Sequence, residues 1–149
     1  MGAQHEYFVA DRDELAQLDL AKSPVSQLPA ERAAELPGVD PTVVLLSLVE
    51  VLTTVDFDTL LASTSDELVF DGGDDGPWVT PVDRATVVAI QGADGDPELE
   101  WEDAVAQWGE LVGEELNDPD AEALLEITDE LRRLAGEVAG DRRLYCWTN

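Results

Sequence analysis

This chain of 149 residues is 44% apolar, which is enough to build the core of one domain, so we predict a single acidic globular domain over residues 1–149. Its 34 acidic and 8 basic residues give a formal net charge of -26. A field of that sign repels nucleic acids and anionic membranes, so neither is expected as a ligand. Cys146 is the only cysteine, which excludes an internal disulfide, and the first residues lack a secretory signal pattern. We therefore expect a cytoplasmic protein.

The N-terminal part of the sequence predicts one strand followed by short helices. Residues 7–10 form a β-favouring apolar run, which predicts a strand. Asp11 then precedes a brief apolar stripe that predicts a helix over residues 12–20. Residues 23–38 contain three prolines, so we expect a loop there, interrupted by a short helix over residues 30–36.

The best-marked helix begins at Asp40-Pro41, because Asp suits the N-cap and Pro the first helical position. Apolar residues recur on nearly every side of this helix except at Glu50, which predicts that it is buried at the centre of the core. A second helical segment is expected over residues 56–62. Its predicted inward-facing side chains are Phe57, Leu60 and Leu61.

The middle of the chain predicts a β-hairpin. The apolar run at residues 68–70 is followed by a glycine- and aspartate-rich turn at residues 72–77, and a second short strand begins at Trp78. Thr80-Pro81 is then expected to cap a helix, with Asp83 at the capping-box position. The predicted inner face of that helix consists of Val82, Ala85, Val88 and Ala89.

Two longer amphipathic helices and a final strand complete the chain. The first is predicted over residues 98–116, with its apolar stripe at Trp101, Val105, Trp108, Val112 and Leu116. The second is predicted to begin after Asp118-Pro119 and to run to about residue 139. The run at residues 144–147 predicts a strand that pairs with the N-terminal strand or with the hairpin. The predicted fold class is therefore α+β and mostly helical, with a small sheet built from the terminal strands and the central hairpin and packed against several helices.

His5 is the only histidine, so any Ser–His–Asp or Cys–His catalytic site would have to use it. We expect it to be an ordinary surface or strand-edge residue. Cys146 lies between Tyr145 and Trp147 in a strand, so alternation predicts a buried thiol on the opposite sheet face from both. With 34 acidic residues, pairs of carboxylates at suitable spacing arise by chance, so a carboxylate-based hydrolase is only an alternative.

No cofactor and no specific metal site is expected. Residues 94–98 begin like an EF-hand loop, but Leu99 stands where a glycine is needed and Val105 where the bidentate glutamate belongs. The loop at residues 71–75 also lacks the spacing of a calcium site. The four tryptophans, Trp78, Trp101, Trp108 and Trp147, are expected in the core, although one exposed among acids would be a candidate anchor for a partner.

Several core motifs resemble those of known groups. Trp78-Val79, the helix with Trp108, the helix over residues 124–138 and the ending at residues 144–147 resemble a group of small actinobacterial proteins of unknown function. The Met1-Gly2 start, Val79-Thr80-Pro81 and the closing helix and strand are similar to the YfbM-like family. Both resemblances imply an α+β domain, and neither supplies catalytic residues.

The acidic residues concentrate in one part of the chain. Residues 85–131 contain 15 acidic residues and no basic one. Three hypotheses account for this: a salt-adapted acidic surface on a housekeeping fold, a face that binds a basic protein, and mimicry of DNA. We favour a non-catalytic protein that sequesters a basic protein partner, as an immunity protein or inhibitor does. The predicted partner-binding residues are Glu102, Asp103, Glu110, Glu114, Glu115, Asp118, Asp120 and Glu122.

Overall fold

One antiparallel sheet and six α-helices make up the parts of the chain that the computed structural model describes, residues 4–64 and 67–149. The helices are α1 (Arg12–Gln17), α2 (Val43–Thr53), α3 (Phe57–Ser63), α4 (Arg84–Asp94), α5 (Trp101–Val112) and α6 (Ala121–Gly136). The strands are β1 (His5–Ala10), β2 (Ala33–Glu35), β3 (Phe70–Asp71), β4 (Trp78–Pro81) and β5 (Arg143–Thr148). The predicted α+β class, mostly helical with a small sheet, is confirmed.

The two terminal strands lie side by side in the middle of the sheet, whose order is β2-β1-β5-β4-β3. Tyr7 of β1 faces Cys146 of β5, and Val79 of the hairpin faces Trp147. The sequence predicts that the last strand pairs with either the N-terminal strand or the hairpin. In the structure β5 pairs with both. Because neither β1 nor β5 is an edge strand, their backbone groups are hydrogen-bonded on both sides.

One face of the sheet packs against the helices. Tyr7, Val9, Leu144 and Cys146 alternate along β1 and β5 on this face and join the main hydrophobic core. At its centre lies α2, where residues 44–49 are all buried, as the sequence predicted. The indole N–H of Trp108 donates a hydrogen bond of 2.9 Å to the carbonyl of Val44, which ties α5 to the start of α2.

The opposite face of the sheet is also covered. Phe8, Tyr145 and Trp147 form a second core beneath apolar side chains contributed by residues 15–28. The buried carboxylate of Glu6 accepts hydrogen bonds from the Ser23 hydroxyl (2.6 Å) and the Val25 amide (3.1 Å). These contacts hold the covering segment in place, so every residue of β1 is buried.

Helices α5 and α6 approach each other closely at Gly109. A Cβ added at this position would lie 2.8 Å from Cδ1 of Leu124, so a larger residue here would require the Leu124 side chain to shift. Leu124, Leu131 and Leu134 recur at helical spacing along α6 and are buried, whereas Ile127 on the same helix is only partly buried. No helix among the described residues has the length and hydropathy required to cross a bilayer.

Some predicted boundaries were wrong. Residues 30–36 do not form a helix, because the chain makes one 3-10 turn and then pairs with β1 as strand β2. Helix α2 begins at Val43 rather than Pro41, although the carboxylate of Asp40 accepts hydrogen bonds from the amides of Thr42 and Val43 as a cap would. Helix α6 begins after Asp120, whose carboxylate accepts the Ala123 amide, rather than after Asp118.

The predicted inner face of α4 was wrong in part: Val82 is buried and Ala89 packs against a small core, but Ala85 and Val88 do not face inward. Pro81 still belongs to strand β4, so the helix begins later and Asp83 is its N-cap rather than a capping-box partner. The buried positions of the helix are Thr86, Val87, Ile90 and Ala93. Ala85 and Val88 are exposed, and so is Leu61 of α3, which had been predicted to face inward.

Candidate functional site

All eight acidic residues predicted to bind a partner are exposed. None of them takes part in an ion pair within the described residues. Their acidic neighbours Asp94, Asp129 and Glu130 differ, because Arg132 and Arg133 neutralise those three carboxylates. Unpaired carboxylates also occur elsewhere on the described chain, so what marks α5, the α5–α6 connection and the start of α6 is that eight of them follow one another here without a basic residue between them.

Six of the eight lie on or beside the α5–α6 connection. Asn117 and Asp118 adopt left-handed backbone conformations with φ of 58° and 50°, and the Asp118 amide donates a 2.6 Å hydrogen bond to the Gly113 carbonyl. This tight turn connects the ends of α5 and α6, and we call the six predicted acidic residues on and beside it the acidic turn. It consists of Glu110, Glu114, Glu115, Asp118, Asp120 and Glu122.

The remaining two predicted residues lie elsewhere. Glu102 and Asp103 are in the first turn of α5, and the eight residues from Glu102 to Glu110 correspond to ~12 Å along the helix axis. There the two carboxylates interact favourably with the helix dipole, a purely local role. The same applies to Glu122 at the start of α6, while Asp120 caps that helix. The acids without such a structural role are Glu110, Glu114, Glu115 and Asp118.

An exposed leucine lies within the acidic turn. Leu111 is 50% exposed near the C-terminal end of α5, and Glu114 and Glu115 follow three and four residues later, just past the end of the helix at Val112. An exposed apolar side chain with carboxylates close to it in the chain suits the centre of a charged interface. The sequence prediction missed Leu111 because it followed only the inward stripe of this helix, although a leucine outside that stripe was the available signal.

Two of the four tryptophans, Trp78 and Trp101, are only partly buried rather than in the core as predicted, and Trp101 is covered by an arginine. Trp101 is half-buried, and the guanidinium carbon of Arg132 lies 4.6 Å from the centre of its ring. The Arg132 Nε in turn donates a 2.7 Å hydrogen bond to Asp94. Trp108 and Trp147 are buried in the two cores, as predicted.

His5 was wrongly predicted as a surface or edge residue, since β1 has a neighbour on each side and the ring is buried. Its Nδ1 lies 3.1 Å from the Thr148 hydroxyl and 3.8 Å from Cys146 Sγ. Burial lowers the pKa of His5, although the charge of Asp40 opposes the shift. Burial also raises the pKa of the Cys146 thiol to about 12. The predicted buried thiol is confirmed, and it remains protonated at neutral pH.

The two acidic loops considered for calcium use their carboxylates locally. The Asp96 carboxylate accepts the Glu98 amide and that of Asp71 accepts the Gly73 amide, as in ordinary turns. The Asp94 carboxylate forms an ion pair with Arg132. Within residues 4–64 and 67–149, no three carboxylate, histidine or cysteine side chains are grouped in a way that could hold a metal ion.

Comparison with known proteins returned no family model, no curated protein and no solved structure that matches this chain.

Proposed function

We propose that this chain is a non-catalytic binding protein that sequesters a basic protein partner through the acidic turn, in the manner of an immunity protein or inhibitor. The observation that supports it best is a run of exposed carboxylates without ion pairs that includes a half-exposed leucine, Leu111. The carboxylates would steer a basic partner into place, and Leu111 would be buried on contact.

The alternative of a carboxylate-based hydrolase has less support. That hypothesis requires His5 or clustered acids in an accessible site, whereas His5 is buried beside Cys146. Salt adaptation and DNA mimicry both remain alternatives that account for the charge. Neither of them, however, requires an apolar residue within the acidic turn.

The first test is to capture the partner and then measure the effect of charge on its association. The immobilised protein is exposed to native lysate at low salt, and proteins released by high salt are identified. The triple variant Glu110→Lys, Glu114→Lys, Glu115→Lys is expected to associate with that partner about tenfold more slowly at low salt, because steering depends on the local field. Association rates would be measured by surface plasmon resonance.

The matched control changes the same number of charges elsewhere. Asp13 on α1 and Asp74 and Asp75 in the hairpin loop are exposed acids outside α5 and α6, and none of them takes part in an ion pair in the described structure. Their reversal to lysine should leave the association rate within about twofold of the wild type. Equal slowing by both triple variants would show that only net charge matters and would overturn the assignment. Displacement of the partner by duplex DNA would favour DNA mimicry.

A second prediction concerns Leu111. Replacing it with serine should raise the dissociation rate about tenfold while leaving the association rate nearly unchanged, since an apolar contact at the centre of an interface acts after encounter. Leu61→Ser is the matched control, because Leu61 is also exposed, at 42%, but lies on α3. If both variants dissociate like the wild type, Leu111 is not part of the interface.

A further inference from the structure

The basic residues of this chain divide into two groups. Five of the eight form ion pairs: Lys22, Arg32, Arg132, Arg133 and Arg142. The other three, Arg12, Arg84 and Arg143, make no ion pair and no side-chain hydrogen bond in the described part of the chain. Because acids outnumber bases by 34 to 8, carboxylate partners are abundant, and these three arginines stand out for lacking one.

The three arginines lie around one end of the sheet. Strands β4 and β5 pair as far as Pro81 and Tyr145, and the Val82 amide donates a 2.9 Å hydrogen bond to the Leu144 carbonyl. This pairing places the start of α4, with Arg84, beside the start of β5, with Arg143. Arg143 borders three cavities, of which two are shared with Arg84 and the third with Arg12.

One of these cavities has the size of a small-ligand site. It has a volume of about 370 Å³ and lies between α4 and the segment that joins α6 to β5. Three arginines line it: Arg84, Arg142 and Arg143. Arg142 forms an ion pair with Glu137, with 3.5 Å between the nitrogen and the oxygen. The one acidic residue that lines the cavity is Asp141. The Arg84 and Arg143 side chains are therefore available to a ligand.

Apart from its charged residues and Gln91, the side chains that line this cavity are apolar. Val82, Val87 and Leu144 are buried beneath it, and Val88 at its border is 58% exposed, the most exposed large apolar residue on the described surface. An apolar wall with a few convergent charged groups is typical of sites for small molecules. Charges beyond about 8 Å are screened at physiological salt, so the acidic turn weakens anion binding here only modestly.

We propose that this cavity binds a small organic anion, a carboxylate or phosphate carried on an apolar body. Arg84 and Arg143 bind the anionic group, because guanidinium donors match the oxygens of both chemistries. Val87 and Val88 cover the apolar body. The proposal goes beyond protein sequestration and does not depend on it, since the acidic turn contributes no residue to the cavity.

The test uses the full-length protein and four defined probes. Hexanoate and phenyl phosphate each carry an anion on an apolar body, whereas acetate and inorganic phosphate carry the anion alone. Amide chemical shifts would be followed by NMR at about 0.15 M salt. Hexanoate, phenyl phosphate or both should shift the amides of Val88, Gly140 and Arg143 with a Kd of about 1 mM or tighter. Acetate and phosphate should bind at least about tenfold more weakly.

Substitutions then separate a built site from general attraction to arginine. Arg143→Gln and Arg84→Gln should each weaken binding about tenfold, while Lys22→Gln, which removes the same charge from a distant exposed site, should not. Val88→Asp should weaken hexanoate binding without affecting the fold, because Val88 is exposed. The absence of shifts with both organic anions, or unchanged binding in Arg143→Gln, overturns the proposal. The stronger of the two probes distinguishes a carboxylate ligand from a phosphate ligand.

Discussion

Trp108→Ala is expected to lower the free energy of unfolding by about 3–5 kcal/mol, a large part of the stability of a domain this size. Trp108 is fully buried between α5 and α2 and is the largest completely buried side chain among the described residues. Its removal leaves a cavity in the main core and deprives the Val44 carbonyl of its 2.9 Å hydrogen bond. Urea denaturation followed by circular dichroism would measure the loss.

Two further variants separate packing from hydrogen bonding in this prediction. Trp108→Phe keeps much of the ring but loses the indole N–H, so a loss of about 2 kcal/mol is expected. Trp101→Ala is the control on the same helix face. Because Trp101 is only half-buried, this variant should lower the free energy of unfolding distinctly less than Trp108→Ala does. Equal losses for Trp101→Ala and Trp108→Ala would contradict the placement of Trp108 at the centre of the core.

Glu14→Ala is expected to lower the free energy of unfolding by about 2 kcal/mol. Arg32 is buried, and its guanidinium donates 2.9 Å and 2.6 Å hydrogen bonds to the Val9 carbonyl and the Glu14 carboxylate. Removing the carboxylate leaves a buried charge without its partner, which costs about 3–5 kcal/mol when both groups are buried. The 34% exposure of Glu14 reduces this figure through solvent screening.

The same ion pair should make stability depend on pH. The Arg32 hydrogen bond, assisted by the Asp11 amide, lowers the pKa of Glu14 from 4.5 to about 2. Because the folded-state pKa is the lower one, the stabilisation is fully present above pH 4.5 and is lost as pH falls towards 2. The stability difference between wild type and Glu14→Gln should therefore shrink over that pH interval in urea titrations.

The control for both measurements is an ion pair on the surface. Glu130 and Arg133 form an exposed contact within α6, and Glu130→Gln should cost less than about 0.5 kcal/mol. If Glu14→Ala lowers the free energy of unfolding no more than this control does, then Arg32 finds another partner or reaches solvent in the variant. A constant difference across the acidic range would contradict the lowered pKa of Glu14.

The sequence by itself determined the fold class and most of the elements. The stripes of α5 and α6 and the nearly continuous apolar sequence of α2 are local patterns of period 3.6, so they identify helices and the faces they bury. Strand alternation likewise placed Cys146 on the opposite face from Tyr145 and Trp147. The composition also established the uncompensated acidic charge of residues 85–131, because charge needs no fold to be counted.

Only the tertiary structure decided what depends on distant partners. Residues 33–35 became a strand because β1 offered its free edge, and His5 became buried because β5 and the helices enclose it. The α4 face differed from its prediction because β4 extended to Pro81 and delayed the helix start. No local pattern in the sequence predicts the cavity with Arg84 and Arg143. These two residues are 59 positions apart in the chain, and only the pairing of β4 with β5 brings them together. Long-range pairing of this kind overrides local propensity, which is why local patterns could not predict it.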